Sequence, residues 1–294
     1  MQPYRPESFH TAPPDPEILQ KSIGTGDVFS GICYKCDEFH NLHLDLGPIR
    51  GIIPRQEAAL GIAEGTASEI SILSRVGKPV CFQVLRIDPQ GSAILSRRAA
   101  QADARDYFMS ALRPGDVIPA AVTSVTRLGA FCDIGCGFQA LMRIDRCCIS
   151  RLRSAGDLFR TGQPIRALVL GADDERKFIH LTGRELLGTW EENVALFRVG
   201  QTVPGIIRSI MSYGSFVELT PNLSGLAEPM DGLHEGDAVS VYIRGILPQR
   251  HKVKLNILEK LPSPPPPQRL RYFYTGSHLD QWEYFPGSSY TTYF

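Results

Sequence analysis

Tyr213-Gly-Ser-Phe-Val-Glu-Leu-Thr-Pro-Asn-Leu-Ser-Gly-Leu-Ala-Glu228 reads as two short strands joined by a turn. Val217 and Leu219 alternate with Glu218, the period of two of a half-buried strand. Pro221 and Asn222 supply turn chemistry between the strands. Gly225-Leu226-Ala227 opens the second apolar run. Tyr213 and Phe216 flank a glycine and a serine, where flat backbone can present rings to solvent. The stretch has an echo 85 residues earlier, in Leu128-Gly-Ala-Phe131-Cys-Asp-Ile-Gly135.

The echo belongs to a longer repeat. Three segments open on one phrase: Thr25-Gly-Asp-Val-Phe-Ser-Gly31, Pro114-Gly-Asp-Val-Ile-Pro-Ala120 and Val199-Gly-Gln-Thr-Val-Pro-Gly205. Each carries a second glycine phrase, at Gly77, Gly162 and Gly236, followed by an alternating apolar strand and a short β-like ending. First and second glycines lie 51, 47 and 36 residues apart, so the strands stay constant while one connection shrinks. In the first copy that connection reads as helical at Gln56 to Gly65.

Five short strands per unit, with a loop or helix after the third, predict an all-β chain of three tandem five-stranded Greek-key barrels. Closure removes the edges that an open sheet of this size would expose. The expected barrels span residues 21–98, 114–183 and 199–260. Helical connectors are expected at 99–113 and 184–198, where Gly and Pro are nearly absent and apolar residues recur at helical spacing. Residues 1–20 read as a loose arm and 261–268 as a stiff proline-rich linker. The tail at 269–294 is dense in aromatics, which suits a hairpin docked on a barrel, with Gly287 to Phe294 loose at its end.

Composition narrows the function classes. The 294 residues are 43% apolar and contain no apolar run of 18, so no membrane-spanning helix is expected. The polar, proline-bearing start carries no signal-peptide pattern, which points to the cytoplasm. Seven scattered cysteines suit reduced thiols. Net charge is zero, which argues against strong non-specific polyanion binding but leaves stacking and local patches open. Residues 114–184 are the most basic segment, with 10 Lys+Arg against 7 Asp+Glu. No phosphate-cradling loop, serine-nucleophile elbow or His-Glu-x-x-His motif occurs, so no enzyme activity, cofactor or small-molecule substrate is expected. Cys33, Cys36, His40 and His43 lie close enough in sequence to suggest zinc, but the second pair follows too soon for a finger and the four straddle a hairpin. No metal site is expected.

Gly-Asp-Val before an apolar strand, then aromatic-Gly-x-Phe-x-Asp/Glu, Gly-Leu, Gly-x-x-Val and Leu-Ser/Thr: this series resembles the S1 RNA-binding domain, a family with the OB-fold. The resemblance covers residues 21–260 as three copies and is fullest in the second and third. Their order, with two connecting helices and a proline-linked tail, resembles the short ribosomal-protein-S1-like proteins of Gram-positive bacteria.

The resemblance implies single-stranded RNA, mRNA in particular, lying over two aromatics with a basic residue and an aspartate nearby. It further implies the small ribosomal subunit as a partner. Carried over position by position, it marks Tyr213, Phe216 and Arg208 in copy three. In copy two it marks Phe131, Arg143, Arg146, Asp173 and Arg184; in copy one, Phe39, His43, Asp88 and Arg98. The pattern departs from the family at Leu128, Glu228 and Leu247, so no copy holds the whole set. The bland alternative is that Tyr213, Phe216 and Phe131 are core residues and that the Arg143–Arg160 cluster is a solvated loop. An alternative function is a protein-docking module, with copy one the copy that has lost its RNA contacts, or an RNA-holding subunit of a ribosome, polymerase or nuclease complex.

Overall fold

The computed structural model describes residues 3–9, 15–173, 175, 178–262 and 270–294. Three closed five-stranded barrels dominate it. Barrel one is β1 (Phe29–Cys36), β2 (Leu42–Leu46), β3 (Ile49–Ile53), β4 (Pro79–Ile87) and β5 (Ser92–Ser96). Barrel two is β6 (Val117–Val125), β7 (Gly129–Gly135), β8 (Phe138–Arg143), β9 (Pro164–Asp173) and β10 (Phe178–Thr182). Barrel three is β11 (Thr202–Met211), β12 (Gly214–Thr220), β13 (Leu223–Ala227), β14 (Ala238–Leu247) and β15 (Lys252–Lys260). All three share one topology: an antiparallel meander of three strands, a parallel pairing of the third with the fifth, and closure through the fourth onto the first. The alternating strands send one set of side chains inward, for example Val217, Leu219, Val239, Val241 and Ile243 in barrel three.

Short helices fill the connections. They are α1 (Pro16–Lys21), α2 (Ile70–Leu73), α3 (Arg97–Ala111), α4 (Ile144–Cys147) and α5 (Trp190–Val194). The Ser96 hydroxyl caps α3 by accepting from the Ala99 amide at 2.9 Å. Along α3, Ala100, Ala104 and Phe108 at helical spacing join the core of barrel two. Phe108 stacks on Phe138 with ring centroids 6.2 Å apart.

Several expectations are corrected. The arm at 1–20 is not loose where described: Leu19 is fully buried and Glu7 is buried between barrels one and two. The stretch Gln56 to Gly65 is one 3₁₀ turn (Arg55–Glu57) and then irregular turns, because Gly61 and Gly65 adopt left-handed φ values of +87° and +71°. The connector at 184–198 is not one helix. Gly188, at φ +89°, separates a 3₁₀ turn (Arg184–Leu187) from α5, which starts on a Thr189/Glu192 capping box. The chain end is not loose, since β16 (Gln281–Glu283) pairs with β17 (Thr291–Tyr293). Most of the proline-rich linker, residues 263–268, lies outside the described residues.

Buried ion pairs mark both barrel joints. At the first, the Glu7 carboxylate receives the Arg97 guanidinium at 2.7 and 2.9 Å and Arg75 at 3.0 Å. Burial alone would raise the Glu7 pKa, but the two arginines outweigh it and hold it below its ordinary value. Asp133 of barrel two lies beside it, accepting from the backbone amides of Glu7, Gly135 and Gly137. Burial, and then the Glu7 charge, push Asp133 up to about 7.

The tail crosses from the second barrel to the third. Arg166 donates to the carbonyls of Tyr274 and Gly276 at 2.7 and 2.8 Å, and Leu279 donates to Gly115 at 2.9 Å. Trp282 and Tyr284 then enter the core cluster of barrel three.

The raised Asp133 pKa has a sign. Between about pH 4 and pH 7 the folded chain holds a proton that the unfolded chain has released, so stability rises as pH falls through 7. Glu7 acts oppositely: its contribution is present above its unfolded value of 4.5 and is lost as pH falls below it. Urea unfolding should therefore show a higher midpoint near pH 5.5 than near pH 8, and Asp133→Asn should flatten that difference. An unchanged slope in the variant contradicts the assignment.

Candidate nucleic-acid interface

The strand registers show how one face is built three times. In each barrel the first strand carries a β-bulge, between Cys33 and Lys35, Val122 and Ser124, and Ile207 and Ser209. The residue paired just beyond the bulge on the second strand is His43, Phe131 and Phe216 respectively. These three thus occupy one structural position. The hairpin tip ahead of it carries Phe39, Leu128 and Tyr213, which are 70%, 71% and 63% exposed. Phe131 and Phe216 are half-buried and belong to neither core cluster, so the core reading of the aromatics does not hold. Tyr213 and Phe216 meet edge to face, with centroids 6.3 Å apart and planes at 88°. Beside the tip, Gly129 and Gly214 adopt φ near +151° and +154°, and a Cβ on either would overlap a carbonyl oxygen of the neighbouring strand.

The bulge residue differs in every copy. Tyr34 of barrel one is 52% exposed, with its ring 6.3 Å from the His43 ring. Sequence reading missed it; it stands nine residues ahead of His43, across the hairpin. Thr123 of barrel two is half-buried and its hydroxyl donates to the Gln139 side chain at 2.7 Å, on the outer face of β8. Arg208 of barrel three is buried. It meets Glu218 at 2.8 and 3.0 Å and Asp157 of barrel two at 3.4 Å. An RNA contact at Arg208 is therefore corrected, because its guanidinium is occupied inside a barrel joint.

Arg184 is corrected on the same ground. It is buried against Glu185 at 3.1 Å and Thr292 of the tail at 3.1 Å, and lies over the Tyr290 ring. Other candidates keep a solvent side. Arg143 is exposed and pairs with Asp145 at 3.0 Å; Arg146 is half-buried, 4.0 Å from the same carboxylate. Within the rest of the arginine cluster, Arg153 holds Asp157 and the Glu235 carbonyl, Arg160 holds the Gly156 carbonyl, and Arg151 is exposed. Arg98 forks onto Glu57 at 2.8 and 3.2 Å. Asp88 lies 3.9 Å from Arg86, and Asp173 ends β9. The His43 ring bonds Asp37 at 3.0 Å and holds that carboxyl below its usual range.

Barrel three has cations that sequence reading overlooked. Phe216 pairs with Leu226, and Leu226 with Lys254. Exposed Lys254 thus sits two strands from the ring, and the alternation in Lys252-Val-Lys-Leu-Asn256 already placed it outside. Arg244 is exposed and reaches Glu228 at 3.2 Å. Of the four residues weighed for zinc, Cys33 lies in the barrel-one core, His40 turns to Glu69 and His43 to Asp37. Among the described residues no three metal-capable side chains converge.

Burial separates the two groups of residues. Phe39→Ser, Leu128→Ser or Tyr213→Ser should each shift unfolding free energy by less than about 0.5 kcal/mol. Arg184→Ala, which strands buried Glu185, should cost about 3 kcal/mol. Urea titration distinguishes these outcomes; a large loss at the tips would mean they are structural.

The S1 RNA binding domain matches residues 111–184. The chain is 28% identical over 241 residues to small ribosomal subunit protein bS1 of Leuconostoc lactis, covering 75% of this chain and 54% of that protein. It is 26% identical over 260 residues to the bS1 homolog of Bacillus subtilis, covering 83% and 66%. For bS1 of Staphylococcus aureus the identity is 27% over 239 residues, covering 76% and 59%. The chain thus spans somewhat over half the length of these relatives. Residues 111–184 thus match the S1 RNA binding domain, barrels one and three repeat the topology of that matched barrel, and over most of its length the chain is similar to bS1 proteins of Gram-positive bacteria.

Proposed function

We propose that the chain binds single-stranded RNA, mRNA in particular, without catalysing a reaction on it. The observation that carries this is the threefold face: an exposed apolar tip at Phe39, Leu128 or Tyr213, followed by a half-buried ring at His43, Phe131 or Phe216. Every base has a face to stack, and stacking on an exposed aromatic contributes about 1–3 kcal/mol per base. Arg143 and Arg146 in barrel two, and Lys254 and Arg244 in barrel three, are cations with a solvent side that can neutralise phosphates. The chemistry these faces offer is stacking and charge neutralisation, which gives little base-edge readout. Three weak faces on one chain reinforce each other through effective concentration. The names of its relatives support action in translation at the small ribosomal subunit, in the cytoplasm.

One observation favours a second reading for barrel one. It exposes Ile32, Ile70, Leu73 and Val76 in addition to Tyr34 and Phe39, an apolar surface that suits a protein partner. Salt separates the two, since RNA affinity falls steeply with ionic strength and apolar docking does not.

Tyr213→Ala combined with Phe216→Ala should weaken single-stranded RNA binding at least several-fold with little change in melting temperature. Fluorescence anisotropy with a labelled oligonucleotide reads the effect. Unchanged affinity removes barrel three from the interface.

A further inference from the structure

We propose that barrels two and three act as one composite RNA-binding unit, set in a fixed relative orientation by the buried Arg208 bridge. This inference rests on the RNA-binding reading above and adds how its sites are coupled. Arg208 is then a positioning residue.

The bridge is a three-residue ion cluster. Arg208 donates two parallel bonds to Glu218 of its own barrel, at 2.8 and 3.0 Å, and its third nitrogen reaches Asp157 of barrel two at 3.4 Å. The Arg208 side chain is only 5% exposed and the carboxylates 9% and 17%, so water screens the cluster little. Arg208 reaches this place because it is the extra residue of the β11 bulge, and bulges re-aim side chains.

The contact continues at the far end of the β12–β13 hairpin. The amide of Ser150 donates to Pro221 at 2.9 Å and that of Ile149 to the Asn222 side chain at 3.1 Å, both from barrel two. The Asn222 amide donates in turn to the carbonyls of Arg184 and Gly188, at 2.7 and 2.8 Å. Tyr284 of the tail closes over the Asn222 carbonyl.

The consequence lies in the hairpin itself. β12 carries Gly214 and Phe216 at one end and runs roughly 20 Å to the Thr220–Leu223 turn at the other. A paired hairpin is stiff, so fixing its turn against barrel two also fixes the direction in which Tyr213 and Phe216 face. Arg143, Arg146 and Phe131 of barrel two then hold a set relation to those rings. A long strand bound at one barrel meets the second already oriented, which raises the effective concentration of the second site.

The test uses the full chain and labelled oligouridylate RNAs of about 6 and about 20 nucleotides, sized for one barrel and for two. Two variants loosen the joint. Asp157→Asn cuts the charge across it while keeping an acceptor for Arg153. Arg208→Met with Glu218→Leu replaces the cluster by apolar side chains without stranding the Glu218 charge. The wild type should bind the long RNA at least tenfold more tightly than the short one. Each variant should lose roughly tenfold on the long RNA and nothing on the short. An unchanged long-to-short ratio overturns the proposal. So does an equal loss on both RNAs with a lowered melting temperature, which marks a purely structural role. A wild type that binds neither RNA instead overturns the RNA-binding reading beneath it.

Discussion

A charge taken out of water must meet a counter-charge, and this chain obeys that rule at both places where its barrels touch. Glu7 lies between Arg97 and Arg75 at the first joint, and Arg208 between Glu218 and Asp157 at the second. An ion pair of this kind adds little net stability over a well-packed apolar contact, but breaking it is costly and its geometry is directional. Barrels joined by oily patches alone could slide. The forks hold Glu7 to Arg97 and Arg208 to Glu218, and from these fixed groups the Glu7 amide reaches Asp133 of barrel two and Arg208 reaches Asp157 of barrel two, directional contacts that keep one arrangement for the outer faces to inherit.

On that frame the barrels share a backbone and differ in side chains. The bulge position shows this best: an exposed ring at Tyr34, a half-buried hydroxyl bonded to Gln139 at Thr123 and a buried cation at Arg208. Barrel two supplies exposed arginine and a weak tip, Leu128; barrel three supplies the full aromatic pair. The tail adds to the joint by bonding to barrel two through Arg166 and filling barrel three with Trp282 and Tyr284. Trp282 and Tyr284 are therefore packing residues, unlike the aromatics at the hairpin tips.

The barrels were legible because strand alternation and glycine phrases are local signals repeated three times. The tips were legible for the same reason, since an aromatic beside a turn glycine has no core to enter. What distance in sequence hides was not legible. Glu7 is one acidic residue in a proline-bearing arm, and its partner Arg97 stands 90 positions away. Arg208 and Arg184 read as available cations because alternation cannot foresee a bulge or a tail folding back. The helix expected over 184–198 failed at Gly188, and the one expected over Gln56 to Gly65 failed at its own glycines, where left-handed backbone outweighed apolar spacing.

The proposed function assigns RNA contact to the repeated hairpin aromatics and not to the more numerous aromatics of the tail. Ultraviolet crosslinking of the intact chain to a uridine-rich single strand, with the crosslinked residues mapped by mass spectrometry, tests it directly. The account predicts crosslinks at Tyr34, Phe39, Phe131, Tyr213 and Phe216, and none at Trp282 or Tyr284. Crosslinks confined to the tail, or spread without regard to the hairpin tips, would contradict it.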